Sequence, residues 1–326
     1  MIAFLFPGQG AQQVGMGKAL ADAYPDARAV FAEADATFDA QAAARAAGST
    51  EARSLSRIIF DGPEEHLTLT EITQPAILTV SVAAARVLAA VGLQPSFVAG
   101  HSLGEYSANV VAGTFAFADA VRVVQRRGRY MQEAVPVGVG AMAAILGLDA
   151  ETVRRACEEA AEGEVVSPAN LNAPGQIVIA GHATAVQRAS ERARALGAKR
   201  AVPLSVSAPF HCALMTPAEA RLEPELRDLR TSNPRMPIVA NVDARPKTQA
   251  WSAIDALVQQ VSAPVRWEEV VQRLASEGVT TYVEVGPATV LGGLVRRIHK
   301  QAHVIQFGSP DHLGAVVAAC SISAAR

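Results

Sequence analysis

One stretch constrains the fold more than any other: Phe97-Val98-Ala99-Gly100-His101-Ser102-Leu103-Gly104-Glu105-Tyr106. A four-residue apolar run is too short for a helix and reads as a buried strand. The G-x-S-x-G pattern that ends it leads into a helix. Such a strand–turn–helix elbow projects the serine hydroxyl from a tight turn. Its flanking glycines relieve backbone crowding, and the N–H of the residue after the serine faces a developing oxyanion. The bare pattern is weak, because with Gly and Ser each near about 7% of residues, chance yields it in roughly one chain in ten of this length. A structural turn with a capping serine would look the same. The strand before it and the helix after it favour a nucleophile.

Along the rest of the chain, strands and helices alternate, which predicts an α/β protein. A strand at 2–6 ends in a Gly/Gln-rich turn, and helical periodicity follows over 20–38. Segment 40–56 is Ala-rich and reads as an exposed helix and loop, and a long helix opens at Thr73-Gln74-Pro75, with Pro75 near its first turn. Another amphipathic helix spans 119–132. Between 138 and 206 the order becomes strand, helix, strand, strand, helix, strand, the split βαβ or ferredoxin-like unit. Turn-rich sequence on both sides marks it as an insert in a larger α/β domain formed by 1–137 and 207–310. After the insert come helices over 214–229, 254–261 and 267–276, strands at 238–241 and 281–285, and a helix from about 290. The last residues, 311–326, form a C-terminal tail without a motif.

The composition excludes several classes. The chain has 326 residues, 50% of them apolar and 18% charged, which is ample for a large core and excludes disorder over most of its length. A net charge of −2 argues for neither nucleic acid nor an anionic membrane surface. Cys157, Cys212 and Cys320 are odd in number and far apart, so no disulfide framework or metal site is expected and a cytoplasmic location is. The N-terminus is too short and uncharged for a secretory signal. The longest apolar stretch, 76–91, carries Arg86 and is expected to fall short of a membrane span.

A serine nucleophile needs a base, and seven histidines compete. His101 adjoins Ser102, but its side chain should point away from the elbow. His66, His299, His303 and His312 read as surface, and His182 follows a strand of the insert. His211 sits where the insert returns to the main domain, which makes it one candidate beside the structural reading. Cys212 is a rival nucleophile on paper, but a lone thiol is more often a buried filler. The loop Gly8-Gln9-Gly10-Ala11-Gln12-Gln13 is no Rossmann fingerprint, because Gln13 stands where the third glycine belongs, and it is no P-loop. Its backbone amides suit a second oxyanion donor. Arg122, Arg126, Arg127 and Arg129 share one helix. Most of them read as a solvated face, and an inward one would hold a carboxylate in a fork.

The ordered motifs Gly8-Gln9-Gly10-Ala11-Gln12, Gln74-Pro75-Ala76, Gly100 through Tyr106, Arg127-Gly128, Asn172-Ala173-Pro174-Gly175-Gln176, His211 and Glu284-Val285-Gly286-Pro287 carry a resemblance over residues 2–307. The chain resembles malonyl-CoA:acyl carrier protein transacylases and the acyltransferase domains of polyketide synthases. The resemblance implies an α/β-hydrolase-like large domain with an inserted ferredoxin-like small domain. It implies Ser102 as nucleophile and His211 as base, a dyad in which the backbone carbonyl of Gln260 replaces an acid. It also implies that the amides of Gln9 and Leu103 form the oxyanion hole and that Arg127 pairs with the malonyl carboxylate. Phe210 looks like the malonyl-preferring version of its motif, where methylmalonyl-preferring domains usually carry a small residue. Two departures stand out, a long 40–56 segment and a polar Asn109 on the helix after the elbow.

The activity so implied is ping-pong transfer from malonyl-CoA, through an acyl-Ser102 ester, to the phosphopantetheine thiol of an acyl carrier protein, with no bound cofactor. Three rivals remain. One is a discrete trans-acting polyketide acyltransferase with another acyl preference. Another is an acyl-thioester hydrolase using the same dyad, and the third is a docking module with a dead site.

Overall fold

The apolar segment Ile2–Phe6 (β1) becomes the third strand of a six-stranded sheet in the computed structural model, which describes residues 1–324. Six helices follow: α1 (Lys18–Ala23), α2 (Pro25–Thr37), α3 (Ala40–Ala46), α4 (Leu55–Asp61), α5 (Glu64–Leu67) and α6 (Thr70–Ala90). The helix expected over 20–38 is two, because Pro25 lacks the N–H to continue α1 and instead starts α2 at its first position. Segment 40–56 is not simply exposed. Asp39 caps α3, which buries Ala42, Ala43 and Ala44. Alanines give little contrast between faces, so periodicity missed this packing. α6 starts earlier than expected and carries Pro75 in its second turn. Contrary to expectation, its length and apolarity would suffice for a membrane span, but 89% of that window is buried inside the protein as its central core helix.

After β2 (Phe97–Gly100) come α7 (Gly104–Ala112) and α8 (Phe117–Glu133). The chain then leaves for a second sheet through β3 (Gly140–Leu146), α9 (Ala150–Ala160), β4 (Val166–Ala173), β5 (Gln176–His182), α10 (Ala183–Ala195) and β6 (Arg200–Pro203). It returns through α11 (Thr216–Arg227), β7 (Ile238–Val239), β8 (Pro246–Lys247), α12 (Ala250–Gln260), α13 (Trp267–Ser276), β9 (Thr281–Val285), α14 (Leu291–Ile298), β10 (His303–Phe307) and α15 (Leu313–Ala324). The two-residue β8 and the partly exposed β10 lacked an apolar pattern strong enough to read. Residues 313–324, expected to be a featureless tail, are helical, with Val316 and Cys320 in the core. Residues 325 and 326 of that expected tail lie outside the described residues.

The first sheet runs β10-β9-β1-β2-β7-β8 and is parallel throughout except at the β8 edge. Its central strands are covered on both faces, which is why they are almost wholly apolar. Phe6 pairs with Gly100 at the ends of β1 and β2. The glycine loop and the elbow therefore leave the sheet side by side at its carboxyl edge, where open α/β sheets place their ligands. The second sheet, β4-β5-β3-β6, is antiparallel. Its outer strand β4 is tied to the first unit by Leu171 N–H donating to the Val265 carbonyl at 2.9 Å and by Val265 N–H donating to Ala169, also at 2.9 Å.

Candidate active site

Crowding shapes the elbow. A Cβ on Gly100 would lie 1.9 Å from the Gly104 carbonyl carbon, and one on Gly104 would lie 2.0 Å from the Phe6 carbonyl oxygen. Neither position admits a side chain. Ser102 itself sits in the left-handed region with φ 50°, which for a non-glycine residue is strained and must be held in place. Asn241 holds it. Its Oδ1 accepts from Ser102 N–H at 2.7 Å, and its Nδ2 donates to the Gly100 carbonyl at 2.7 Å. The Ser102 amide is thereby occupied. Among the described residues, the amides of Gln9 and Leu103 have no intramolecular acceptor, and both residues line the cleft beside Ser102.

Ser102 Oγ lies 2.7 Å from His211 Nε2, and His211 Nδ1 lies 2.9 Å from the Gln260 carbonyl oxygen. A carbonyl only accepts, so Nδ1 carries the proton and Nε2 keeps a lone pair for the serine proton. His211 is buried, and like Ser102 it has a positive φ, 61°. Burial, followed by the nearby Arg127 charge, pushes its pKa down from 6.5 to about 3, so the imidazole is neutral at physiological pH. Among the described residues, no carboxylate hydrogen-bonds to it.

One arginine of α8 points inward. Arg127 is only 1% exposed, whereas Arg126 and Arg122 pair on the surface with Glu225 and Asp119. Arg127 Nη1 donates to Gln74 Oε1 at 2.8 Å. Nη2 donates to Gln260 Oε1 at 2.9 Å and to Ser102 Oγ at 3.2 Å. Among the described residues its Nε has no hydrogen-bond partner, and the guanidinium lies 5.3 Å from the Tyr106 ring. Burial lowers the Arg127 pKa. Among the described residues, no carboxylate forms an ion pair with this cation. A desolvated charge without a counter-ion is costly, and a carboxylate-bearing ligand would complete it.

These groups face a cleft of about 350 Å³ between the two sheets. Phe210 forms part of its wall on the first unit, and Met142, Asn170 and Leu204 close it from the second. His101 turns from the nucleophile, as expected, and bonds Asn172 of β4 at 2.9 Å, although its ring still borders the cleft. Cys212 is buried, donates to the Pro209 carbonyl and has its pKa pushed up to about 11, which makes it inert as a nucleophile. Asn109 bonds the Glu105 carbonyl within α7, away from the chemistry. Among the described residues, no group of three His, Cys, Asp or Glu side chains could hold a metal ion.

Sequence reasoning did not assign roles to Gln74, Asn241 or the side chain of Gln260. Gln74 stood inside a recognised motif, but Asn241 carried no local signal.

Comparison with known proteins places this geometry. The family model described as "Acyl transferase domain" matches residues 3–317. The malonyl CoA-acyl carrier protein transacylase of Escherichia coli K12 is 49% identical over 316 residues, covering 97% of this chain and 98% of that protein. The solved acyl carrier protein S-malonyltransferase of Vibrio cholerae superposes with a TM-score of 0.89 at 46% identity, covering 97% of this chain and 99% of the other. A malonyl-transacylase solved in complex with a type II PKS acyl-carrier protein gives 0.88 at 45% identity, covering 96% and 98%.

Proposed function

The chain belongs to the acyl transferase domain family, and from that premise we propose that it transfers a malonyl group from malonyl-CoA to the phosphopantetheine thiol of an acyl carrier protein, through an ester on Ser102. Ser102 Oγ attacks the thioester carbonyl while His211 Nε2 takes its proton. The tetrahedral oxyanion accepts from the amides of Gln9 and Leu103. Collapse breaks the C–S bond, and His211 gives the proton to the departing CoA sulfur. The carrier thiol then loses its proton to His211 and attacks the ester. Ser102 leaves and recovers that proton. The cycle consumes no redox equivalent.

Arg127 carries the reading. It is a buried guanidinium without an ionic partner among the described residues, and it already donates to the nucleophile's own oxygen. Malonyl differs from acetyl by one carboxylate, which this fork would bind with charge-assisted hydrogen bonds. A general esterase or thioesterase would leave the charge unpaired beside a neutral acyl chain, at a cost in stability. Phe210 then limits branching at the carbon between the two malonyl carbonyls. Residues 1–137 and 207–310 act as the α/β-hydrolase-like catalytic domain and 138–206 as the ferredoxin-like insert that closes the cleft. Three unpaired, buried cysteines suit a reducing cytoplasm.

The test is intact mass after incubation with malonyl-, methylmalonyl- and acetyl-CoA, followed by addition of holo carrier protein. The malonyl adduct should form fastest, move to the carrier rather than to water, and be absent from Ser102→Ala. A malonyl adduct on Ser102→Ala would mean that the nucleophile is another residue.

A further inference from the structure

Beneath the elbow, the fully buried side chain of Gln260 connects the two halves of the site. Its Oε1 accepts from Arg127 Nη2 at 2.9 Å, and its Nε2 donates to Glu105 Oε2 at 2.8 Å and to the Ser102 carbonyl at 2.9 Å. Its main-chain carbonyl accepts from His211 Nδ1. The amide can face only one way. A flip would set its NH₂ against the guanidinium donors and its oxygen against the oxygens of Glu105 and Ser102. Glu105, in the first turn of α7, is 1% exposed, and its Oε2 also accepts from Asn241 N–H at 3.1 Å. The same Asn241 holds the Ser102 amide.

We propose that Glu105 is a positioning residue for malonyl recognition: its buried carboxyl oxygen fixes the Gln260 amide, and that amide aims the Arg127 guanidinium. A carboxylate in direct contact with Arg127 would occupy the donors that the substrate needs. Placed one amide away, Glu105 orients the fork and leaves it open. Without the Glu105 acceptor, Gln260 Nε2 keeps the Ser102 carbonyl at 2.9 Å and a long contact to Asn241 Oδ1 at 3.5 Å, so the amide is held less firmly against the arginine. Because the amide and Asn241 both donate to Oε2, the role needs an acceptor oxygen rather than a charge. The inference rests on the reading of Arg127 as the group that holds the malonyl carboxylate.

The test compares kcat/KM for malonyl-CoA and acetyl-CoA in Glu105→Leu, Glu105→Gln, Gln260→Met and Arg127→Ala. Glu105→Leu should lower the malonyl value at least about tenfold more than the acetyl value, the change expected from one weakened charge-assisted hydrogen bond. Glu105→Gln keeps an oxygen at the same reach and should restore most of the ratio. Gln260→Met keeps the carbonyl on His211 and should reproduce the selective loss; because it removes the link between Glu105 and Arg127, an unchanged ratio there sinks the proposal even where Glu105→Leu does not fold. A merely structural Glu105 would lower Tm and slow both substrates alike. An unchanged malonyl-to-acetyl ratio in folded Glu105→Leu or in Gln260→Met, or a Glu105→Gln as impaired as Glu105→Leu, overturns the proposal. Arg127→Ala separates the two levels. If it too leaves the ratio unchanged, the reading of Arg127 fails, and if it alone shifts the ratio, only the role of Glu105 fails.

Discussion

In the antiparallel unit, α9 starts on an Asp149 cap, the core between sheet and helices is alanine, valine, isoleucine and cysteine, and charges such as Arg154 and Arg192 pair with glutamates at the surface. Its non-glycine residue with positive φ, Glu162, sits in an exposed turn. At the carboxyl edge of the parallel sheet the same features occur in the opposite setting. Ser102 and His211 hold positive φ in or beside the cleft, and Arg127 and Glu105 are charged types at 1% exposure. Among the described residues, Arg127 Nε has no hydrogen-bond partner. The antiparallel unit follows the local rules of packing and capping and so supplies shape. The parallel edge departs from them at the cleft, where the candidate site lies.

That division can be tested from either side. The largest effect should come from His211→Ala, which should slow acyl-enzyme formation by about 10²–10⁴-fold, the range for a lost general base. Rapid-quench mass measurement reads this, and a loss of only a few-fold would place the base elsewhere. Next, Arg127→Ala should lower the malonyl-to-acetyl ratio on the order of 10²-fold, as two lost charge-assisted hydrogen bonds require. Arg127→Lys should recover part of it, because an ammonium cannot form the fork.

On the other side of the comparison, Ile145→Ala should cost about 2–5 kcal/mol of stability by leaving a cavity, while activity per folded molecule stays at the native level. Ile145 and Met142 lie on opposite faces of β3, with Ile145 in the insert's own core and Met142 toward the cleft. A loss of turnover in folded Ile145→Ala would show that the insert does more than supply shape.

The smallest effect is the dependence of stability on pH, because two buried groups oppose one another. His211 has its pKa depressed from 6.5 to about 3, so between those values the unfolded chain binds the proton and the fold loses stability as pH falls. Glu105 is pushed up by burial from 4.5 to about 7, so across that window the fold binds the proton and loses stability as pH rises. Tm against pH should therefore steepen in opposite directions in His211→Gln and Glu105→Gln. Parallel shifts of the two curves would contradict both assignments.

The antiparallel unit was legible in its order because each of its elements carries its own period and its own turn residues. The elbow was legible for a different reason, since glycines flanking a serine after a strand encode a local steric demand. Contacts across long separations had no such signal. Asn241 reaches Ser102 across 139 residues and the Gln260 side chain does so across 158, and neither position differs in type from an ordinary polar residue. His211 was a candidate from its place where the insert returns to the main domain, and a family resemblance then singled it out as the base. The small-residue packing of α3 escaped notice because periodicity depends on contrast between faces.

The position of β1 bears on how the chain is made. Its residues are paired on one side with β2, beginning at Phe97, and on the other with β9, where Ile2 lies opposite Thr281. At about 5–20 residues per second, a ribosome needs roughly 15–55 s to extend the chain by the 279 positions from Ile2 to Thr281. The insert, whose strands all fall within 140–203, can close long before that. Throughout the interval one edge of an apolar central strand has no hydrogen-bonding neighbour, the condition under which strands pair with the wrong chain. Nascent chains halted before residue 281 keep that edge open, and so expose a strand that the finished sheet covers.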